Sequence, residues 1–366
     1  MAKKFQSAVS GRKMLRDLGF VTYRHDLRRR KDLKRLLLRT KSGNAGLRPR
    51  AWKRRRIIRC RAENGTGFFN PLRIVNRTEE DLKMTNIENT IAFLGPVGTY
   101  THEAARSFAD RLGLCEPAML ECTSFDEVFD CVDRGRAAFG VVGKENSLEG
   151  SVTATLDNFA FRSSAVILAE KVVDIHHCLV IHPDATLDKV TRVASHPQGL
   201  AQCRRFLNER LPGRSTLTVS STAESARLAA QDRTTAGIAN AFAAELHGAR
   251  VAVGDIEDHF GNQTSFALIG RPGSAPQLSG DRCKTTLALF LQSDKAGALN
   301  MILSEFAYAN INLTMIQSRP TKQQLGDYMF FVEFEGSTND LAVQTALNCL
   351  RLKLREVKVL GSYPVE

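Results

Sequence analysis

The sequence lacks the features that define several large protein classes. No apolar run approaches the roughly 20 residues that a membrane-spanning helix needs, so an integral membrane protein is not expected. None of the eight cysteines forms a C-x-x-C pair, and the eight histidines show no H-E-x-x-H or similar spacing. We therefore expect reduced thiols and no metal site. The N-terminus has no signal-peptide pattern, which favours a cytoplasmic location.

Nucleotide and esterase motifs are absent as well. The chain contains no Walker loop, no G-x-G-x-x-G before a helix and no G-x-S-x-G elbow. These absences argue against phosphate-bearing cofactors and against serine-hydrolase chemistry of the α/β type.

The charge of the chain is distributed unevenly. Residues 1–83 hold 25 Lys and Arg against 7 Asp and Glu, whereas the rest of the chain holds 26 against 32. This basic arm could bind nucleic acid, with Trp52 stacking on bases, but no repeat or zinc pattern supports a folded module for that role. Its acidic residues argue against a transit peptide. We interpret the arm as disordered, or as a segment upstream of a true start at Met84.

From Ile91 onward the sequence alternates between strand-like and helix-like patterns. "IAFLG" (91–95) reads as a buried strand, and a helix follows with Thr101 as its predicted N-cap and Gly113 as its stop. Ser124 with Glu127, and Ser221 with Glu224, have the spacing of capping boxes. Alternation of this kind predicts a mostly parallel α/β sheet with helices on its faces.

A second unit follows a linker. Residues 271–282 are rich in Gly, Pro and Ser, and the patterns after them read strand, helix, strand, strand, helix, strand. This βαββαβ order is typical of a ferredoxin-like unit, which we assign to residues 283–364.

Polar clusters mark the expected ligand site. "GPVGTYT" (95–101), "KENSLEG" (144–150) and "SHPQG" (195–199) each follow a predicted strand, and ligands of α/β sheets bind at the carboxyl ends of strands. "GNQTSF" (261–266) precedes its strand, so it can join the others only if that strand runs antiparallel. Together the clusters predict a polar cleft that binds a small anion.

These motifs, in this order, resemble one family. "GPVGTYTHEAA", "ENSLEGSV", "SHPQGLAQC", "GNQTSFAL" and "GALNMILSEFAYANINLTMIQSRP" are similar to prephenate dehydratase with a C-terminal ACT domain, over about residues 90–363. The resemblance implies a catalytic domain (89–270) of two subdomains, like a periplasmic binding protein. It implies loss of CO2 and water from prephenate to give phenylpyruvate, without metal or organic cofactor. Arogenate as substrate, or a non-catalytic amino-acid sensor, remain the alternatives.

The resemblance also assigns roles to residues. Thr264 matches the catalytic threonine of the family's T-R-F motif, and we expect its hydroxyl to donate to the departing oxygen of the substrate. Phe266 would form a wall of the ring site. The further substrate contacts implied by motif position are Thr99, Thr101, Asn146, Ser147 and Gln198.

Two positions depart from the family pattern. Ser265 replaces the arginine of T-R-F, and Lys144 replaces an apolar residue. Lys144 and Asn146 are two apart, hence on one face if the strand continues that far. One hypothesis is that Lys144 restores the substrate-binding charge lost at position 265. The other is that Lys144 is exposed and pairs with an acidic side chain.

The C-terminal unit resembles ACT domains that bind L-phenylalanine between subunits. The residues that match the two signature loops are Gly297, Ala298 and Leu299, and Gln317, Ser318, Arg319 and Pro320. The family usually has Glu at position 317, so the strength of feedback inhibition is left open. Apolar strand faces such as "MFFVEF" favour a homodimer or homotetramer.

Overall fold

The computed structural model describes residues 87–274, 276, 278–280, 282–293, 295–322 and 327–365. The predicted basic arm (1–83) lies outside the described residues. In the part of the chain that the structure describes, no helix is both long and apolar enough to cross a membrane.

The first subdomain contains a mixed sheet with helices on both faces. Its elements are β1 (Thr90–Leu94), α1 (Tyr100–Arg111), β2 (Ala118–Cys122), α2 (Phe125–Asp133), β3 (Phe139–Asn146), β4 (Gly150–Ser151), α3 (Thr153–Phe161), β5 (Val166–Asp174) and, after the chain returns from the second subdomain, β11 (Gln263–Gly270).

The second subdomain is inserted between β5 and β11. Its elements are β6 (Cys178–Ile181), β7 (Arg192–Ser195), α4 (Pro197–Gln202), α5 (Arg204–Arg210), β8 (Ser215–Thr218), α6 (Thr222–Gln231), β9 (Thr235–Ala239), α7 (Ala241–His247) and β10 (Arg250–Val253). Its five strands form a separate sheet in the order β10-β6-β9-β7-β8.

The C-terminal unit has the predicted βαββαβ order. Its elements are β12 (Arg282–Phe290), α8 (Ala298–Tyr308), β13 (Leu313–Pro320), β14 (Tyr328–Glu335), α9 (Leu341–Lys353) and β15 (Glu356–Val365). Its strands continue the sheet of the first subdomain, in the order β13-β14-β12-β15-β5-β11-β3-β1-β2. The two parts of this sheet meet where Val365 of β15 pairs with Glu170 of β5.

The sheets are mixed, whereas the sequence pattern predicted mostly parallel ones. β1 pairs in parallel with β2 and β3, but β11 runs antiparallel to both β3 and β5. Alternation along the chain reveals crossover connections, but it does not show the direction of a strand that returns from another subdomain. The antiparallel β11 is the condition under which "GNQTSF" can join the other polar clusters.

Hydrophobic faces decide how the layers stack. One face of the first sheet packs on α1, where Phe93, Phe108 and Leu268 are buried. The opposite face packs on α2 and α3 and also on the C-terminal sheet, through residues such as Phe159 and Phe331. The other face of the C-terminal sheet is covered by α8 and α9. Burying side chains of this size stabilises the fold by about 1.5–3 kcal/mol each.

Helix starts follow the capping chemistry, with one shift from the prediction. Ser124 and Ser221 cap α2 and α6, each accepting from the N–H three residues on. The N-cap of α1 is Thr99, and Thr101 lies inside the helix. At "SHPQG" the cap is His196, because Pro197 occupies the first helical position and Ser195 ends β7.

Candidate active site

A cavity of about 390 Å³ lies between the two subdomains. The first subdomain contributes Thr99 from the α1 cap and Asn146 and Thr264 from the ends of β3 and β11. The second contributes the starts of α4 and α6. The other lining residues are Leu94, Tyr100, Glu149, Ile175, His177, His196, Gln198, Gly199, Gln202, Ser220, Ser221, Thr222 and Asn262.

Asn146 and Thr264 lie directly opposite each other on paired strands. The Asn146 amide nitrogen donates to the Thr264 hydroxyl oxygen at 2.9 Å. Because this bond uses an acceptor position of the hydroxyl, the Thr264 proton is available to a different acceptor. The pair therefore forms a positioned hydroxyl donor in the wall of the cavity.

The orientation of the Asn146 amide is fixed by its other partners. Its oxygen accepts from the backbone N–H groups of Leu148 and Glu149, each at 3.0 Å. Its nitrogen also donates to the side-chain oxygen of Asn262 at 2.7 Å. Two N–H donors on one side and acceptors on the other leave a single amide orientation that satisfies the network.

Of the three described helices that begin at the cavity, the two longest, α1 and α6, come one from each subdomain. Thr99 caps α1 by accepting from His102, and Ser221 caps α6 by accepting from Glu224. The first N–H groups of a helix have no intrahelical partner, and the helix dipole adds partial positive charge there. No Lys or Arg is among the described lining residues, so these helix starts are the main source of positive potential among them.

A buried histidine supports the turn before α1. His102 is 3% exposed, stacks on Phe93 and accepts from the Gly98 N–H through Nδ1 at 3.1 Å. Burial, with Arg106 nearby, lowers the pKa of His102 to about 4. The imidazole is therefore neutral near pH 7, as this acceptor role requires.

Several contacts join the two subdomains around the cavity. Gln198 of α4 donates to the Glu149 carboxylate across the opening. Asn240, the cap of α7, donates to Glu103 of α1 at 3.3 Å. Gly98 lies so close to the second subdomain that an added Cβ would be 3.1 Å from the Cβ of Ala223. The two subdomains are therefore in direct contact beside the cavity.

The segments that connect the subdomains carry a small polar cluster. His176, Asp255 and Glu257 place their potential ligand atoms within 4.8 Å of one another. His176 already bonds Glu257 at 2.9 Å, and this bond raises the pKa of His176. We interpret the cluster as an ion pair that joins the two connections.

The predicted substrate contacts divide into two groups. Thr99, Asn146, Gln198 and Thr264 line the cavity. Three others are not among the described lining residues. Thr101 is 8% exposed inside α1, Phe266 is 4% exposed in the core beneath the cavity, and Ser147 accepts from the Gln263 N–H at 2.9 Å.

Of the two hypotheses for Lys144, the first is wrong, and the second is right about an acidic partner but wrong about exposure. A β-bulge places Glu145 opposite Ser265 but Gly143 opposite Phe266, so Lys144 is the extra residue. An extra residue reverses the alternation of faces, so Lys144 and Asn146 do not share a face. Lys144 points away from the cavity and is 3% exposed, which also excludes the surface position. Ser265 points to the same side as Lys144 and donates to Glu170.

Part of the second wall was not predicted from the sequence. Ser221 was recognised as a cap but not as a wall of the cavity, because nothing in the sequence shows which helix starts face each other. His177 and Gln202 were also missed; they bond each other at 2.7 Å beside the cleft. The only available signal was that His177 follows β5 in a polar stretch.

The two proposed effector loops have different surroundings in the structure. Gly297, Ala298 and Leu299 line a cavity of about 370 Å³ with Phe330. Ser318 and Pro320 are exposed on β13. Arg319 instead forms a 2.8 Å ion pair with Asp157 of α3, and the Gln317 side-chain oxygen is buried without a hydrogen-bond partner among the described residues.

Comparisons with known proteins agree with this architecture. The family model for prephenate dehydratase matches residues 91–274, and that for the ACT domain matches residues 285–349. The chain belongs to the prephenate dehydratase family and carries a C-terminal ACT domain.

Individual relatives cover most of the described chain. A prephenate dehydratase of Mycolicibacterium vanbaalenii is 35% identical over 75% of this chain and 90% of its own length. A bifunctional chorismate mutase/prephenate dehydratase of Neisseria gonorrhoeae is 38% identical over 75% and 74%. The crystal structure of prephenate dehydratase from Arthrobacter aurescens in complex with L-Phe has a TM-score of 0.66 and 36% identity, over 75% of this chain and 89% of that one.

Proposed function

We propose that this protein converts prephenate to phenylpyruvate, CO2 and water in the cleft between its subdomains, and that L-phenylalanine regulates it. The observation that carries the proposal is the Asn146–Thr264 pair at 2.9 Å, in a cavity with two opposed helix N-termini. Family membership supplies the reaction class, and the cavity supplies the groups that the reaction needs.

The two carboxylates of prephenate match the two helix starts. The N-termini of α1 and α6 would each bind one carboxylate, which explains how a cleft without Lys or Arg among its described lining residues can hold a dianion. Position 265 has no part in this arrangement, because Ser265 lies on the other side of the sheet. The loss of the family's arginine there is therefore compatible with substrate binding.

The chemistry requires only a positioned donor. As the ring carboxylate leaves as CO2, the electrons of its C–C bond enter the ring and expel the C4 hydroxyl, which takes up a proton and leaves as water. Thr264 donates its hydroxyl hydrogen bond to this departing oxygen, while Asn146 holds the threonine oxygen in place. The proton that converts the departing hydroxyl to water comes from solvent. Donation of this kind contributes roughly 10²–10⁴ in rate.

The experiment is a rate comparison on the full chain. Phenylpyruvate formation from prephenate is measured for wild type, Thr264→Val and Thr264→Ser. Valine keeps the shape and removes the donor, so kcat should fall by roughly 10²–10⁴, whereas serine should retain much of it. Full turnover by Thr264→Val would reject the role of the hydroxyl. Turnover of arogenate but not prephenate would reassign the substrate.

The cavity beside Gly297–Leu299 is the proposed site of regulation. Gly297 has φ +87° and caps α8 with its backbone, so the chain turns sharply there. L-phenylalanine should bind at this loop and lower turnover. Binding of L-phenylalanine by a folded protein that turns over neither prephenate nor arogenate would favour a non-catalytic sensor.

Assembly and location complete the proposal. β13 is the outermost strand of the sheet and carries the exposed Ile316, with the exposed Tyr328 on the neighbouring β14. An open apolar edge favours strand pairing between subunits, so we propose a homodimer or homotetramer. We also propose a cytoplasmic location. We propose no role for nucleic acid in the reaction.

A further inference from the structure

A group of four charged side chains, three of them buried, lies between the ACT sheet and the catalytic sheet. The Lys144 ammonium is 2.6 Å from Glu170 of β5 and 2.5 Å from Glu333 of β14. Lys284 of β12 contacts the same two carboxylates at 3.3 and 3.0 Å. The side chains of Lys144, Glu170 and Glu333 are each at most 4% exposed, and the charges of the group balance.

Neutral donors complete the hydrogen bonding of this charged cluster. Glu333 accepts from Tyr363 at 2.9 Å, from Thr286 at 3.2 Å and from Thr314 at 2.9 Å. Burial alone would raise the pKa of Glu333, but Lys144 and Lys284 hold it well below its usual value. Glu333 is therefore ionised at neutral pH. From β14 it connects Lys144 to donors on the three other strands of the ACT sheet, β12, β13 and β15.

Stability alone does not explain such a cluster. Desolvating four ions costs so much that buried ion pairs can often be replaced by apolar side chains without loss of stability. The cluster also takes no part in the chemistry, because it lies on the opposite side of the sheet from Thr264. Its distinctive feature is that it holds the residue that forms the bulge in β3.

The bulge decides which residue faces Thr264. With Lys144 as the extra residue, Asn146 lies opposite Thr264 and Glu145 lies opposite Ser265. Without the extra residue, regular pairing onward from Gly143 and Phe266 would place Glu145 opposite Thr264. A carboxylate would then replace the amide donor, and a negative charge would enter the anion site.

We propose that Lys144 is a positioning residue: its ion pairs with Glu170 and Glu333 hold the β3 bulge, and through Glu333 they couple the ACT domain to the Asn146–Thr264 pair. The coupling rests on the proposed function. Thr314, which donates to Glu333, lies on β13, the strand that ends in the effector motif Gln317–Pro320. A shift of β13 on effector binding therefore alters the acceptor that holds Lys144.

Three variants of the full chain separate this role from simple stabilisation. Lys144→Met removes the side chain that holds the bulge. The double variant Lys144→Met, Glu333→Gln removes the ion pair between β3 and β14, and the charges of the remaining Lys284 and Glu170 still balance. Lys284→Met is the matched control, because it takes one ammonium from the same cluster without touching β3. Each variant is measured for kcat and KM with prephenate, L-phenylalanine affinity by calorimetry, and hydrogen exchange of peptides spanning 139–151 and 261–270.

The expected pattern is specific to position 144. Both Lys144 variants should lose at least about tenfold in kcat with little change in KM. The two peptides should exchange their amide hydrogens faster than in the wild type. Both variants should still bind L-phenylalanine, but binding should no longer change the exchange of the two peptides. Lys284→Met should lose stability but keep kcat and the exchange response. The balanced double variant provides the test if Lys144→Met does not fold.

Two results would overturn the proposal. Unchanged exchange and kcat in the balanced double variant would show that the bulge does not depend on Lys144. An equal loss in Lys284→Met would reduce the cluster to a structural role. If the wild type has no turnover, the proposed function fails, but the exchange of the two peptides without effector still decides whether Lys144 holds the bulge.

Discussion

The amide nitrogen of Asn146 lies 2.9 Å from the hydroxyl oxygen of Thr264, on strands that run antiparallel. The two residues are 118 positions apart in sequence, and the second subdomain is inserted between them. The pair therefore exists only when β11 returns to its place beside β3, so formation of the donor depends on completion of the first sheet.

Replacing Asn146 should lower the turnover number. In Asn146→Asp the group facing Thr264 becomes an acceptor and adds negative charge to the anion site, so kcat should fall by about 10²-fold or more. Steady-state kinetics with prephenate measure this effect. L-phenylalanine binding and the thermal midpoint serve as controls for folding. Undiminished kcat would show that the threonine hydroxyl needs no partner.

Gly98 should be required for closure of the cleft. It has φ +96°, and a Cβ there would be 3.1 Å from Ala223 and 3.3 Å from Ala243 in the second subdomain. Gly98→Ala should therefore hold the subdomains apart and lower kcat/KM by about tenfold or more. Gly113→Ala is the matched control, since Gly113 also has positive φ, +64°, but no atom within 4 Å of the added Cβ.

The control separates backbone strain from the contact between subdomains. Gly113→Ala should cost about 1–2 kcal/mol of stability through its left-handed backbone alone, with kinetics close to wild type. Equal losses of kcat/KM in both variants would show that backbone strain, and not contact between the subdomains, lowers the activity of Gly98→Ala.

The ion pair between Arg319 and Asp157 should stabilise the attachment of the ACT domain. Both side chains are 18% exposed, and Lys322 binds the second oxygen of Asp157 at 2.6 Å. Asp157→Asn should lower the free energy of unfolding by on the order of 1–2 kcal/mol, because the pair is only partly screened by solvent. Denaturant unfolding checks the value.

A surface ion pair provides the comparison for Asp157. Arg233 and Asp184 are 2.8 Å apart, but each is 65% exposed, so Asp184→Asn should change stability by no measurable amount. If the two variants behave alike, partial burial contributes nothing at Asp157.

The buried His102 should weaken the fold in acid. Its folded pKa, about 4, lies below the ordinary value of 6.5, so the unfolded chain binds the proton first. The free energy of unfolding should therefore fall as the pH drops from about 6.5 to about 4, and this contribution should level off below. Denaturant unfolding at several pH values measures the slope, and His102→Gln should flatten it. An unchanged slope in the variant would assign acid sensitivity to other groups.

Local chemistry was readable from the sequence wherever neighbouring residues decide it. The N-caps at Ser124 and Ser221 and the βαββαβ order are confirmed, because caps and hydrophobic periodicity act within a few residues. The reciprocal half of each predicted capping box does not form: Glu127 accepts from Thr123, and Glu224 pairs with Arg227. Thr264 and Asn146 could be chosen as site residues because their motifs resemble those of the family. The prediction that Thr101 caps α1 was wrong, because the cap is Thr99, two positions earlier. Both residues offer the same hydroxyl, and only the backbone conformation decides between them.

The sequence by itself determined which residues form strands and helices, the family of the protein and the polar motifs of its cleft. Only the tertiary structure decided that Lys144 lies on the opposite face from Asn146, because a bulge depends on the pairing of two strands distant in sequence. It also decided that Arg319 binds Asp157 and that the start of α6 faces the start of α1. These arrangements depend on contacts between layers, and periodicity along one segment carries no information about its partner.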